Sequence, residues 1–431
     1  MLLGSVYPPD IRVEKEVRAL VDADHEVFVL SYATVGKPER ETIDGADVIR
    51  RPIDETTTGV GGWAPGLRYL VTYVHEGWAR ATSEVVEAED IDVLHVHDLP
   101  SVKTAIQVGE KYDVPVVADL HENWPEAKRQ YRSDNVGQYV ENPKLVLAHT
   151  LKSVWRLKRF ERYCVQRADR IIAVVEEGRA HYVRDCGASP EAAHVISNVV
   201  DLGVFDDAEI SPVGYEEEFV ISYVGTLSGE HRGLDAVIEA MPAIGERVPD
   251  ARLLIVGPES RYGRTLERLV TDRDVTDRVT FVGRVPFERV PSYIAASDVC
   301  LVPHRANPHT ATTVPHKLFQ YMAMEKPVLV TDIAPVARIV RETNAGHVVP
   351  ADDGEVMAAA IVELARHPER MAELGANGRK AVEERYNWEI EAEELRALYR
   401  SLRTRSNTTR EDSRSERRRR RRNLKERLVD R

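Results

Sequence analysis

Short apolar runs recur along this chain at intervals that leave room for a helix between each pair. In the first half, Leu2–Val6, Glu26–Leu30, Asp47–Arg50, Asp92–Val96, Val114–Asp119 and Arg170–Val174 read as strands. Between them, Val13–Val21, Leu67–Glu87 and Val102–Glu110 carry apolar residues at helical spacing. A second series opens at Phe219 with FVISYVG and continues through ARLLIVG, RVTFVG, DVCLVP and KPVLVTD. There Leu234, Val237, Ile238, Met241 and Ile244 fall on one helical face. Strands alternating with helices predict βαβ units and parallel sheets.

The two series are separated by an acidic, turn-rich stretch at 201–218, which reads as a linker. Residues 1–200 and 219–387 are then two tandem α/β domains. A last amphipathic helix, 388–402, is expected to pack back on the first domain. Ligands of open α/β sheets bind beyond the carboxyl ends of the strands, so the expected site is a cleft between the domains.

A length of 431 residues also suggests two cores rather than one. No run of eighteen or more apolar residues predicts a membrane span, and MLLGSVYPPD lacks the basic start of a signal peptide. Three widely spaced cysteines without a CxxC predict a reducing, cytoplasmic setting, with neither a disulfide frame nor a zinc site. The net charge of −12 is unevenly spread. The segment 401–431 holds 13 of the 59 basic residues and 5 of the 71 acidic ones, which leaves the first 400 residues at −20. An acidic, lysine-poor body suits a protein kept soluble in high salt. The residues beyond 402 are of low complexity and are expected to be disordered.

Several stretches carry candidate chemistry. In YVGTLSGEHRG a strand ends at Gly225 and a loop leads to Arg232 just before a helix, a setting that suits a phosphate. TTVPHKLFQYMAMEKPVLVTD joins a loop, a helix start and a buried strand, with Lys317 in the first helical turn. Val314, Leu318, Tyr321 and Met322 share a face and read as core. DLHENWPEA brings Asp119, His121 and Glu122 to a strand end, and HVHDLP adds His97 and Asp98 at its neighbour.

These stretches, with YPPDIRVEKEVRAL, NVVDLGVF and VTFVGRV, occur in the order expected of family-4 glycosyltransferases, which the chain resembles over roughly residues 1–402. The resemblance implies the GT-B architecture: two Rossmann-like domains facing a cleft, the first on the acceptor side and the second binding the donor. It implies transfer of a hexosyl-type sugar from a UDP- or GDP-linked donor to a glycan or lipid-linked hydroxyl, with retention and with neither cofactor nor metal. Arg232 and Lys317 would hold the diphosphate, and His121 would lie beside the donor sugar. Gly225, Thr226, Gly283, Arg284, Thr312, Thr313 and Gln320 are the further donor-side candidates. Asp10, Arg12, His97, Asp98, Asp119 and Glu122 are carried to the acceptor side. The chain departs from the family at four places: Thr226 replaces an arginine, Arg232 replaces a lysine while keeping the charge, and Thr312 and Gln320 replace a pair of glutamates eight residues apart.

The acidic triplets at 22–24 and 90–92 match a DxD pattern but lie at strand starts, away from the expected cleft. The glycine-rich 59–66 reads as a loop over the acceptor side. Residues 144–162 form a basic amphipathic pattern with Trp155, which suits an anionic membrane surface on the cytoplasmic side, aided by six arginines at 417–422. No specific nucleic-acid binding is expected. The alternatives are a nucleotide-sugar epimerase of the same fold, or a catalytically weak binding or scaffold subunit.

Overall fold

The computed structural model describes residues 1–53, 69–133, 153–215 and 217–406. The predicted loop 59–66, residues 144–152 of the basic pattern and the arginine-rich end lie outside the described residues.

Among the described residues of the first 200, seven strands form: β1 (Phe28–Tyr32), β2 (Arg40–Ile43), β3 (Ala46–Arg51), β4 (Leu94–His97), β5 (Val116–Leu120), β6 (Arg170–Ala173) and β7 (Ala193–Val195). They form two ribbons, ordered β1-β3-β2 and β4-β5-β6-β7. Leu2 stitches them together by bridging both Leu30 and Val96. Its N–H donates to the His95 carbonyl at 2.7 Å, while the Leu3 N–H donates to Leu30 at 3.0 Å. The expected strand Leu2–Val6 thus shrinks to a bridge, because Pro8 and Pro9 offer no ladder N–H and the chain leaves to start helix Ile11–Val21.

The second sheet contains β8 (Phe219–Val224), β9 (Ala251–Val256), β10 (Val279–Gly283), β11 (Val299–Val302), β12 (Val328–Thr331) and β13 (Gly346–Val349). Its order is β10-β9-β8-β11-β12-β13, with every pairing parallel. β11 and β12 are buried at every residue, as strands covered by helices on both faces must be. The chain winds outward from β8 through β9 and β10, then returns to its other side at β11. The order therefore reverses between β8 and β11, and a crevice forms there beyond the strand ends. Gly225 follows β8 and His304 follows β11, so both stand at that crevice.

Helix Trp388–Ser406 returns to the first domain. Its buried Leu395 and Leu398 join a core that also holds Val13, Val17 and Leu318. The Lys15 ammonium lies 4.7 Å from the Trp388 ring centroid. The Arg396 guanidinium donates to the Ala19 carbonyl at 3.1 Å. Two further ties cross between the domains: Arg338 makes a paired contact with Glu177 at 2.8 and 3.1 Å, and Thr313 Oγ1 donates to the His121 carbonyl at 3.3 Å.

Candidate active site

The second-domain half of the site is built around one buried lysine. Helix His316–Ala323 follows Pro315 and is drawn against β8 through Tyr321, whose hydroxyl accepts from the Val224 N–H at 2.9 Å. That docking buries Val314, Leu318, Tyr321 and Met322, the face read as core. It also buries Lys317, whose Nζ lies 3.3 Å from the Tyr223 ring centroid and has no hydrogen-bond partner. Burial, then the charge of Arg232, push the Lys317 ammonium well below its ordinary value. A buried amino group over an aromatic face, with no hydrogen-bond partner, is placed where an anion could meet it. Gly225, at φ 145°, is what leaves the space: a Cβ there would come within 2.5 Å of Lys317 Nζ.

Arg232 stands beside this lysine at the start of the next helix. Its Nε donates to Ser228 Oγ at 3.1 Å, its Nη1 to His304 Nε2 at 3.2 Å and its Nη2 to Thr226 Oγ1 at 3.4 Å. Burial, then Arg232, hold His304 well below the usual imidazole range, so the neutral ring accepts. Thr226 supplies no second cation here and instead props the one that remains. Thr312 donates its hydroxyl to the Pro308 carbonyl at 3.1 Å within its own turn. Gln320 is half-buried on the lysine-bearing helix. Gly283 ends β10, its carbonyl accepting from the Gly257 N–H at 3.0 Å, and Arg284 follows in an exposed position.

The first-domain half rests on a buried polar cluster. Asp119 is wholly buried at the end of β5 and receives Arg12 in a paired contact, Nε to Oδ2 at 2.8 Å and Nη2 to Oδ1 at 2.9 Å. Arg12 Nη1 also donates to the Ile196 carbonyl at 3.1 Å and to Asn198 Oδ1 at 3.0 Å. His121 Nε2 meets Asp119 Oδ2 at 3.0 Å, and His97 Nδ1 meets the same oxygen at 3.2 Å. The exposed Asp98 lies 3.4 Å from His121 Nδ1.

Three of the acceptor-side candidates are buried: Arg12, His97 and Asp119 are each at most 4% exposed, with Arg12 alone of the three also reaching the cavity between the halves. The reason is packing: helix Ile11–Val21 lies against the strand ends and carries Arg12 inward to neutralise Asp119. Asp10 caps that helix, its side chain accepting from the Arg12 and Val13 N–H groups, and remains half-exposed at the cleft. Glu122 points across the domain boundary, 3.8 Å from His309 Nε2.

The charges are distributed unequally. Burial opposes ionisation of Asp119, but Arg12 and His121 together hold its carboxyl well below the usual range. Burial likewise opposes a charged His121, yet Asp119 and Asp98 raise it to about 9. Glu16, one turn beyond Arg12 and 3.0 Å from its Nε, is pushed up to about 8 by burial and then by Asp119. At neutral pH the cluster therefore holds a carboxylate at Asp119, a carboxylic acid at Glu16 and an imidazolium at His121. His97, pushed down to about 3 chiefly by burial, is neutral.

The halves meet across an open cavity of about 440 Å³. Asp10, Arg12, His121 and Asn198 line it from the first domain, and His316 from the second. Sequence reasoning missed Glu16, Asn198, His304 and His316. Only Glu16 had a legible signal, the i,i+4 spacing from Arg12 on a predicted helix. The acidic triplets lie elsewhere, Asp24, Asp90 and Asp92 lining a separate cavity near the strand starts with His25 and Tyr399.

Comparison with known proteins agrees with this architecture. The family described as Glycosyltransferase Family 4 matches residues 11–204, and that described as Glycosyl transferases group 1 matches residues 218–367. A phosphatidyl-myo-inositol mannosyltransferase of Mycolicibacterium smegmatis is 23% identical over 93% of this chain and 94% of its own length. A GDP-mannose-dependent monoacylated alpha-(1-6)-phosphatidylinositol monomannoside mannosyltransferase of Corynebacterium glutamicum is 33% identical over 39% of this chain and 44% of its own. Among solved structures, a sucrose-phosphate synthase from Thermosynechococcus elongatus superposes with a TM-score of 0.71 at 22% identity, covering 92% of this chain and 94% of that one. With both halves of the chain matched and the fold shared end to end, the protein belongs to the group 1 and family-4 glycosyltransferases of GT-B architecture.

Proposed function

We propose that the protein transfers a hexosyl group from a UDP- or GDP-linked donor to a hydroxyl of a lipid-linked or surface glycan acceptor, with retention and without a metal ion. The observation that carries this reading is the partnerless Lys317 ammonium beneath Gly225, with Arg232 beside it. A diphosphate would pair both cations and convert a desolvated charge into a charge-assisted contact. As the sugar–phosphate bond lengthens, negative charge grows on the leaving diphosphate. Lys317 and Arg232 stabilise it there, doing what a divalent ion does in other transferases.

The charge state of His121 narrows its role. An imidazolium can donate but cannot act as a base, and it would repel a developing oxocarbenium ion. His121 Nε2 is committed to Asp119, so Nδ1–H is the available donor, passing from Asp98 to a sugar hydroxyl. The acceptor hydroxyl attacks from the leaving-group side and passes its proton to the departing phosphate. The inositol-lipid mannosyltransferases among the relatives support a lipid-linked acceptor. Work at the inner face of a membrane is supported by Trp155, which is 69% exposed with Arg159 5.9 Å from its ring. Among the described residues no helix is long and apolar enough to cross a bilayer. The relatives reported above transfer sugars, so the epimerase alternative has no support.

The test is a panel of UDP and GDP sugars offered with inositol-lipid vesicles, with the anomeric configuration of early product read by NMR. The expected product keeps the donor's configuration, and His121→Ala and Arg232→Ala lose most of the rate. Wild-type rates in both variants contradict the assignment.

A further inference from the structure

Outside the transfer site, three ligand-type side chains converge on the first domain. Glu161 comes from helix Val154–Arg167, His181 from helix Glu176–Arg184, and Cys186 from just beyond that helix. His181 Nε2 lies 3.2 Å from Glu161 Oε2, Cys186 Sγ 3.5 Å from the same oxygen, and Cys186 Sγ 3.6 Å from His181 Nε2. A tetrahedral zinc with bonds of about 2.3 Å to sulfur, 2.0 Å to nitrogen and 2.1 Å to oxygen has edges of roughly 3.4, 3.6 and 3.6 Å between these ligand types. The three observed separations match within about 0.2 Å. We propose that Glu161, His181 and Cys186 bind a divalent transition-metal ion of the zinc class, with its fourth position facing the adjoining cavity.

The surroundings support the assignment. His181 Nδ1 is held by Asp185 Oδ2 at 2.9 Å, the carboxylate–histidine arrangement that fixes the tautomer and aims Nε2 at a metal. With Nδ1–H donated to Asp185, a neutral ring presents the Nε2 lone pair toward Glu161 and Cys186, the arrangement a metal ion would use. Glu161 and Cys186 are each 2% exposed, and burial, then Glu161, push the metal-free Cys186 thiol up, so only a bound cation would favour its thiolate. The cavity beside them measures about 650 Å³ and is also lined by Asn123 and by Thr312 of the second domain. A second buried group, Glu16, His95, His97 and Asp119, also converges. There the Arg12 guanidinium already sits on both carboxylates at 2.8 to 3.0 Å, and its positive charge excludes a metal.

Without metal, a proton on His181 between two carboxylates and the thiol proton of Cys186 satisfy the group. Burial works against the imidazolium, but Glu161 and Asp185 more than offset it and hold it above its ordinary value. The metal is structural here, clamping two helices, and no step of sugar transfer passes through it.

Titration of the full-length, reduced protein with Co²⁺ tests the site. The expected result is a thiolate-to-cobalt charge-transfer band that saturates at one equivalent and is discharged by Zn²⁺. Cys186→Ser, nearly isosteric, loses the band while keeping its circular dichroism, whereas Cys164→Ser and Cys300→Ser retain it. Absence of the band in the wild-type protein overturns the proposal without reference to any variant, as does its persistence in Cys186→Ser.

Discussion

Asp119→Asn removes the charge on which the buried cluster depends while preserving its shape. The interval between an ordinary imidazole and the value of about 9 at His121 corresponds to about 3 kcal/mol in favour of the charged ring. Asp119 is the largest of the groups that raise it, with Asp98 second. The amide should therefore return His121 most of the way to the ordinary range. It also strips Arg12 of its paired partner, a loss of about 3–5 kcal/mol for a buried pair. Glu16 limits that loss, because without the Asp119 charge it ionises more readily and lies 3.0 Å from Arg12. A total stability of about 5–15 kcal/mol leaves the variant folded but lower melting. The assay is an NMR titration of the His121 ring, assigned by the signal missing in His121→Gln. A His121 titration unchanged in Asp119→Asn refutes the proposed charge distribution.

The same cluster sets a pH dependence. His121 is raised, so the stability it contributes is complete below about 6.5 and lost as pH rises through about 9. Glu16 is raised from 4.5 to about 8, so its contribution is complete below 4.5 and lost as pH rises through about 8. Glu16→Gln should flatten the decline in melting temperature between about pH 4.5 and 8, and an unchanged slope would show that Glu16 is ionised in the native state. Gly225→Ala sets a Cβ 2.5 Å from Lys317 Nζ at a φ of 145°. It should weaken nucleoside diphosphate binding about tenfold or more, while costing about 1–3 kcal/mol of stability. Unaltered affinity by calorimetry would separate Lys317 from the diphosphate.

The fold was legible because buried parallel strands are written as continuous apolar runs, and DVCLVP and KPVLVTD could hardly be anything else. β2 and β7 were not, since RETI and AHV are short edge segments that carry little apolar signal. The loop cations Arg232 and Lys317 could be read from their place at strand-to-helix junctions. The burial of Arg12, His97 and Asp119 could not, because it depends on a helix docking across strand ends far away in sequence. The cysteines show the same limit from the other side. Their spacing argued against a zinc site, and it could not reveal that the fold brings Cys186 to within 3.6 Å of His181 and 3.5 Å of Glu161.

Calorimetric titration of GDP and UDP into the wild-type protein and into Lys317→Met, above the phosphate's own ionisation and in buffers of different ionisation enthalpy, tests the central claim most directly. Pairing with phosphate opposes the depression of the Lys317 ammonium, so over the pH range between its free and bound titrations wild-type binding should take up a proton. Loss of one charge-assisted contact, about 1.5–3 kcal/mol, should weaken the variant roughly 10- to 150-fold and abolish the uptake. Lys317→Met should also melt no lower than the wild type, since it removes a buried amino group that has no hydrogen-bond partner. Equal affinity and equal proton uptake in the two proteins, or no binding of either nucleotide, would contradict the account.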